Sequence, residues 1–238
     1  MSPSPPRSRR PAAGALLLDA LGTLVSLEPP APRLREQLAT HFGVDVSQPQ
    51  AERAIAAEIS FYRAHLQQGK DPRSLARLRR GCAQVLLDAL PSSVAIERLD
   101  PEQMVAVLLA SLQFSVFADV RPALAAARST GRRLIVVSNW DVSLHEVLER
   151  LGVGTLVDGI LTSAEFGERK PSPSIFRRAV EMAGVRAAEA MHVGDSLEED
   201  VAGARAAGIE AVLLARAGAP TASGVRVISS LQELERGP

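Results

Sequence analysis

Four stretches place reactive side chains at or just beyond the ends of apolar runs. In "DALGTL", Asp19 ends one such run, Gly22 permits a tight turn and Thr23 supplies a hydroxyl. In "LIVVSNWD", Ser138 and Asn139 follow another. In "ERKPSPSIF", Lys170 precedes Pro171 at a helix entrance. In "MHVGDSLEEDVAGARAAG", Gly194 and Asp195 follow a further run, and Glu198, Glu199 and Asp200 open a helix. A carboxylate leaving a strand is a candidate nucleophile, and two acidic strand ends on one rim would hold a hard cation. Each residue alone has an ordinary explanation: a turn aspartate, a helix cap, a solvated lysine, or acids favoured by a helix dipole. Four such stretches at one rim of one sheet shift the balance toward chemistry.

The elements that must carry these residues follow from hydrophobic patterning. Short apolar runs at 15–18, 134–137, 156–161, 190–193, 209–214 and 225–228 read as strands. Helical patterns separate the later ones. One opens at Pro122 and ends near Gly131. Leu144, Val147, Leu148 and Leu151 form one apolar face, and Ile175, Phe176, Ala179, Val180 and Ala183 form another. Strands alternating with helices predict a parallel sheet covered on both faces. In such sheets ligands bind beyond the carboxyl ends of the strands, at a switch point in strand order.

Residues 26–114 read as all helical. Leu34, Leu38 and Phe42 fall at helical spacing, as do Ile55, Ile59, Tyr62 and Leu66. Leu75, Leu78, Cys82, Leu86 and Leu90 continue the pattern, and Met104, Val107, Leu108 and Leu112 end it. An insertion leaving from the ligand-binding end of the first strand is placed to cover the site and exclude water.

Bulk properties narrow the function classes. Formal net charge is zero, so a general nucleic-acid or membrane-surface binder is disfavoured. A single cysteine, Cys82, rules out an intrachain disulfide and reads as core filler. The N-terminal "MSPSPPRSRRP" reads as a disordered tail over 1–13. The pair Arg9-Arg10 has the look of an export signal, but Asp19 interrupts the apolar region and no small-residue cleavage pattern follows. No run approaches the roughly 18 apolar residues of a membrane span. The expectation is a cytoplasmic protein. The sequence carries no signature of oligomeric state.

"LLLDALGTL", "VVSNWD", "RKPSPSIF" and "VGDSLEEDVAGARAAG" resemble, in order, the four motifs of the haloacid dehalogenase-like hydrolase superfamily, closest to its phosphatase-like branch with "DAxGTL" in the first motif. The resemblance covers nearly all of the chain after the tail. It implies an α/β fold, a Rossmann-like doubly wound parallel sheet over 14–25 and 115–238, with an inserted all-helical cap over 26–114. It implies that Asp19 attacks phosphorus of a small phosphorylated substrate and forms an aspartyl-phosphate. Thr23 would assist, Ser138 and Asn139 would hold phosphoryl oxygens, and Lys170 would neutralise charge on Asp19 and the phosphoryl group. Mg²⁺ would be held by the carboxylates of Asp19 and Asp195 and the carbonyl of Leu21, with Asp200 in support. Carboxylates and phosphate repel, so a cation and a lysine are what such chemistry requires.

Leu21 departs from that pattern. Phosphatases of the family carry an aspartate two residues after the nucleophile, which protonates the leaving oxygen and then activates water. Such acid–base catalysis contributes roughly 10²–10⁴-fold. Three readings follow: a Mg²⁺-dependent phosphatase with another proton carrier or low turnover; a 2-haloacid dehalogenase, whose halide leaves without a proton or a metal; and a binding protein on the same fold. Asp195 after Gly194 favours the first. Among the remaining polar residues, His192 reads as structural, and His41, His65 and His145 show no metal-ligand spacing. Trp140 lines the pocket or packs, and Arg33, Arg35 and Tyr62 are candidates to meet an anionic substrate.

Overall fold

A computed structural model describes residues 14–92, 96, 98–216, 218 and 224–234. The tail read over 1–13 lies outside the described residues.

The strands β1 (Ala15–Leu18), β4 (Arg133–Ser138), β5 (Gly159–Thr162), β6 (Ala190–Gly194), β7 (Glu210–Leu214) and β8 (Arg226–Ile228) form one sheet in the order β5-β4-β1-β6-β7-β8. All neighbours run parallel, with Leu18 opposite Val136 on one side and Val193 on the other. Every residue of β1 is buried, as its unbroken "ALLL" requires of a strand covered on both faces. Leu16 and Leu18 pack on one face with Leu124, Leu144 and Leu148. Leu17 packs on the other with Ile175, Phe176 and Ala179. The helices α5 (Val120–Ser129) and α6 (Leu144–Arg150) cover the first face, and α8 (Pro173–Ala183) covers the second. This is a Rossmann-like α/β core. Its chain turns from β1 to β4 on one side and later crosses to β6 on the other, so the switch point lies beyond the end of β1.

Among the described residues the stretch 26–114 carries four α-helices: α1 (Pro30–Phe42), α2 (Gln48–His65), α3 (Pro72–Ala89) and α4 (Pro101–Ser111). Asp71 and Asp100 start α3 and α4. Each accepts a backbone N–H three residues on at 2.8 Å and is followed by proline at the first helical position. The four helices bury their own apolar cluster, including Leu34, Leu38, Leu86, Met104 and Leu108. No helix among the described residues is long and apolar enough to cross a membrane.

Several boundaries differ from the sequence reading. The segment read as strand-free is bracketed by β2 (Val25–Leu27) and β3 (Phe114–Val116), an antiparallel ribbon with Ser26 opposite Ser115 and their hydroxyls 2.8 Å apart. Three-residue strands are too short for a period of two to stand out against a helical background. The run 156–161 pairs only from Gly159; residues Gly154–Leu156 form a 3₁₀ turn, and Leu156 and Val157 pack on the core without joining the ladder. Helix α5 begins at Val120, ahead of Pro122, which sits in the first turn where its missing N–H costs nothing. The helix expected at "SLEED" opens as a π-helical turn, Leu197–Ala202, before the short α9 (Gly203–Ala206); α7 (Ser163–Phe166) is the remaining short helix.

Candidate active site

Parallel pairing delivers the four sequence stretches to one place. Asp19 stands one residue past β1, its backbone N–H donating to Val193 O at 3.0 Å. Ser138 ends β4 and donates its hydroxyl to Asp19 Oδ1 at 3.1 Å. Lys170 Nζ donates to the same oxygen at 2.6 Å and to Asp200 Oδ1 at 2.6 Å. Among the described residues Asp19 Oδ2 accepts no hydrogen bond. The Asp19 carboxylate is thus held at one oxygen and free at the other.

Lys170 is 1% exposed, so its position is set by neighbours rather than by solvent. The Asn139 side chain makes a two-way pair with the Lys170 backbone, accepting its N–H at 2.8 Å and donating to its carbonyl at 3.1 Å. Asp200 is anchored by His192 Nε2 at 2.9 Å and by the Ser196 N–H on Oδ2 at 3.0 Å. The wide π-helical turn makes this reach possible, since the N–H groups of both Asp200 and Val201 donate to Ser196 O. A side chain at Gly194 would collide with the Asp200 carboxylate, its Cβ falling 2.1 Å from Cγ. His192 is therefore a structural partner of Asp200. Its other face lies edge-on to Phe176, with ring centroids 4.9 Å apart.

The charges tune one another. Burial lifts the Asp19 carboxyl to about 6, with Lys170 pulling it down and Asp200 adding to the rise. Burial would also raise Asp200, but the Lys170 charge and the His192 hydrogen bond outweigh it and hold that carboxyl well below its usual range. For Lys170 burial works against the charge, and the two carboxylates overcome it, keeping the ammonium above its ordinary value. The ammonium is therefore permanent near neutrality.

Asp195 is the exposed member of the set. Its side chain is hydrogen-bonded only to its own backbone N–H among the described residues, and burial of its surroundings followed by the Asp200 charge pushes its carboxyl upward, with Lys170 opposing. One ligand oxygen each from Asp19, Asp195 and Asp200 lies within 4.8 Å of the others. Three carboxylates face one ammonium, and all the donors are oxygen. That charge balance and donor type fit a hard divalent cation such as Mg²⁺. Asp200 is already engaged by Lys170, His192 and Ser196, which leaves Asp19 and Asp195 as the carboxylates with free capacity.

The turn after Asp19 is pressed against this site. Gly22 has φ +81°, and a Cβ there would meet Asp195 Oδ2 at 2.0 Å, so only glycine fits. Thr23 is fully buried, and its hydroxyl has no partner among the described residues. Arg216 pins the turn from outside: its guanidinium donates to Gly22 O at 3.2 Å, to Thr23 O at 2.7 Å and to Asp119 Oδ2 at 3.1 Å, and it stacks 3.8 Å above Phe117. Sequence reasoning missed Arg216, because a lone arginine beyond the last buried strand carries no local pattern.

Leu21 is 38% exposed and stands on the wall of a cleft of about 280 Å³ between the core and the inserted helices. Trp140 both lines this cleft and packs on Phe114, with ring centroids 5.3 Å apart. Of the residues considered as anion contacts, Tyr62 lines the cleft. Arg35 instead donates to Val46 O at 2.6 Å, and Arg33 lies on a separate shallow surface with Glu28 and Glu36. His65 bonds Phe61 O and His145 pairs with Glu165, away from the acidic rim.

A parallel sheet with an acid at its central strand end, an amine clamped against it and an acidic loop opposite makes up the candidate site on a Rossmann-like core. The sequence matches the haloacid dehalogenase-like hydrolase family over residues 14–208, and the chain belongs to that family. It is 37% identical over 125 residues to a glyceraldehyde 3-phosphate phosphatase of Methanopyrus kandleri, a match covering 49% of this chain and 54% of that protein. The chain spans roughly a third to three fifths of the length of such curated relatives. Among solved structures it resembles a phosphatase of the same family from Thermococcus onnurineus, with TM-score 0.65, 26% identity, and 94% and 96% of the two chains covered. It resembles a 2-haloacid dehalogenase from Pseudomonas syringae pv. Tomato DC3000 to the same degree, with TM-score 0.66, 25% identity and the same coverage.

Proposed function

We propose that this hydrolase is a Mg²⁺-dependent phosphatase acting on a small phosphorylated metabolite through an aspartyl-phosphate on Asp19. The observation that carries the reading is the asymmetry of Asp19: Oδ1 is held by Lys170 and Ser138, Oδ2 is free, and Asp195, bonded to no other residue, lies alongside. A haloacid dehalogenase has no use for that second carboxylate.

In this reading Asp19 Oδ2 attacks phosphorus. The bond to the leaving oxygen breaks, and that oxygen takes its proton from water. A second water then attacks phosphorus and frees Asp19 with release of phosphate. Lys170 offsets the negative charge shared by Asp19 and the phosphoryl group, and Asp200 and Asn139 hold Lys170 in place. The Ser138 hydroxyl turns toward a phosphoryl oxygen. Thr23, buried in the turn, supports the backbone that presents Asp19. The Asp19 and Asp195 carboxylates and the Leu21 carbonyl would hold Mg²⁺, which supplies the positive charge that draws phosphate to an acidic rim. The helical insertion acts as a cap over the site, and the protein works in the cytoplasm without a nucleic-acid or membrane partner.

Leu21 favours a second reading in one respect, since an apolar residue there suits departure of halide. The two are separated by one pair of assays. Mg²⁺-dependent hydrolysis of p-nitrophenyl phosphate, lost by at least about 10³-fold in Asp19→Asn, is the expected result. Chloride release from 2-chloropropionate without Mg²⁺, with no phosphatase activity, would establish the dehalogenase instead.

A further inference from the structure

The cleft beside Leu21 holds a buried acid that the phosphoryl chemistry does not use. Glu58, on α2, is 4% exposed. Its walls are largely apolar, with Leu27, Ile59, Leu78, Leu108, Phe114 and Trp140 among them. The single hydrogen-bond partner of Glu58 among the described residues is the Cys82 thiol, a weak donor. Burial pushes the Glu58 carboxyl above its usual range, with the thiol opposing.

Arg63, Arg79, Glu146 and Arg150 also line the cleft, at exposed or half-buried positions; the other polar side chains deep in it are tied to each other. Tyr62, one helical turn after Glu58 and on the same face, donates to Asp141 Oδ2 at 2.9 Å. Asp141 Oδ1 accepts the Ser143 N–H at 2.7 Å. That bridge ties α2 to the loop carrying Asn139, and Val142 N–H donates to Gly69 O at 2.9 Å beside it. The cleft is therefore a formed cavity in which, among the described residues, the one buried and weakly partnered polar side chain is Glu58. An acid kept in apolar surroundings with only a thiol for company costs stability, and a ligand donor would offset that cost.

Geometry links the cleft to the chemistry. Leu21 and Asn139 line it, and they flank the positions of Asp19 and Ser138 in the chain. A phosphoryl group at Asp19 would leave the rest of the molecule pointing into the cleft. We infer that the cleft receives the leaving group, an apolar body whose far end carries a hydroxyl or amine that donates to Glu58. The inference rests on the phosphatase reading and adds the substrate class to it. Glu58 is the specificity-determining residue, and Tyr62 with Asp141 holds the wall from which it acts.

Three near-isosteric probes test it: 4-ethylphenyl, 4-(hydroxymethyl)phenyl and 4-(aminomethyl)phenyl phosphate, assayed with saturating Mg²⁺ beside p-nitrophenyl phosphate. The wild-type protein is expected to favour one or both donor-bearing esters over the ethyl ester in kcat/KM, on the order of tenfold. A preference for the hydroxymethyl ester alone identifies an alcohol as the donor, and for the aminomethyl ester alone an amine. Glu58→Leu should reverse the order in favour of the ethyl ester. Glu58→Gln, closer in shape should the leucine variant fail to fold, should keep any hydroxymethyl preference and lose any aminomethyl preference. Equal kcat/KM for the three esters, in a protein that does hydrolyse p-nitrophenyl phosphate, overturns this inference and leaves the phosphatase reading standing. So does a donor preference that survives in a folded Glu58→Leu protein. A wild-type protein inert on all four esters overturns both.

Discussion

The acidic rim and the adjoining cleft solve opposite physical problems. At the rim, Asp19, Lys170 and Asp200 are buried charges, and each is held by a charged partner at 2.6 Å. In the cleft, Glu58 is equally buried but meets only a thiol, in walls that are otherwise largely apolar. Dense pairing fixes geometry and leaves little freedom, which suits a step requiring one oxygen at one place. A largely apolar cavity with one buried, weakly partnered acid constrains little except what can enter it. On the proposed function, the first region reacts and the second selects.

The comparison breaks first, and with the largest effect, at Lys170. Lys170→Met leaves Asp19 and Asp200 buried without their counter-charge. Removing one partner of a buried pair costs roughly 3–5 kcal/mol, so the melting temperature should fall steeply. Activity should fall by at least about 10³-fold, because charge developing at the phosphoryl group is no longer met. Calorimetric melting and steady-state assays of one preparation check both. Near wild-type stability and rate would mean the rim is not a mutually dependent set.

A smaller effect is expected at Arg216, which touches the rim only through the backbone of the turn. Arg216→Ala removes charged hydrogen bonds to Gly22 O and Thr23 O, worth about 2 kcal/mol together, and should weaken Mg²⁺ binding more than it alters the fold. It also has a pH signature. Burial would raise the Asp119 carboxyl, but Arg216, the Leu231 N–H and Ser230 hold it below its usual range. A depressed folded value means the stabilisation is present above the unfolded pKa and disappears as pH falls through the folded one. Without Arg216 that loss sets in earlier, so acid unfolding of the variant, followed by circular dichroism, should begin at a higher pH than in wild type. Arg216→Lys should recover part of the lost Mg²⁺ affinity. Identical acid limbs would remove Asp119 and Arg216 from any part in steadying the turn.

These two residues also show what the sequence made legible. Lys170 was visible because it sits beside Pro171 at a helix entrance, in a stretch that makes sense only with Asp19 and Asp195 at neighbouring strand ends. The sheet was visible because "ALLL" and its partners are continuous apolar runs separated by helical periods. Arg216, Glu58 and Asp141 were not visible. Each acts across more than 70 positions of chain or inside a helix whose pattern explains it equally well as packing or surface. The ribbon β2–β3 escaped because three residues carry too little periodicity. Asn139 was legible as a rim residue, yet its amide is spent on the Lys170 backbone, a pairing set by the fold of two separate loops.

Leu21 joins the two regions, and it bears on the central claim that Asp19 is phosphorylated in a site lacking its usual acid and base. The leucine cannot hold a proton, so hydrolysis of the aspartyl-phosphate should lag behind its formation whenever the leaving group needs no acid. Because Leu21 is 38% exposed at the cleft wall, a carboxylate there would reach water rather than be buried unpaired, and Leu21→Asp is a fair test. The direct measurement is rapid mixing of the Mg²⁺-loaded protein with excess p-nitrophenyl phosphate. The account predicts a burst of about one nitrophenolate per protein followed by a slow steady rate, with the steady rate raised in Leu21→Asp and the burst absent in Asp19→Asn. Linear release from the first turnover, unchanged in Asp19→Asn, would contradict it.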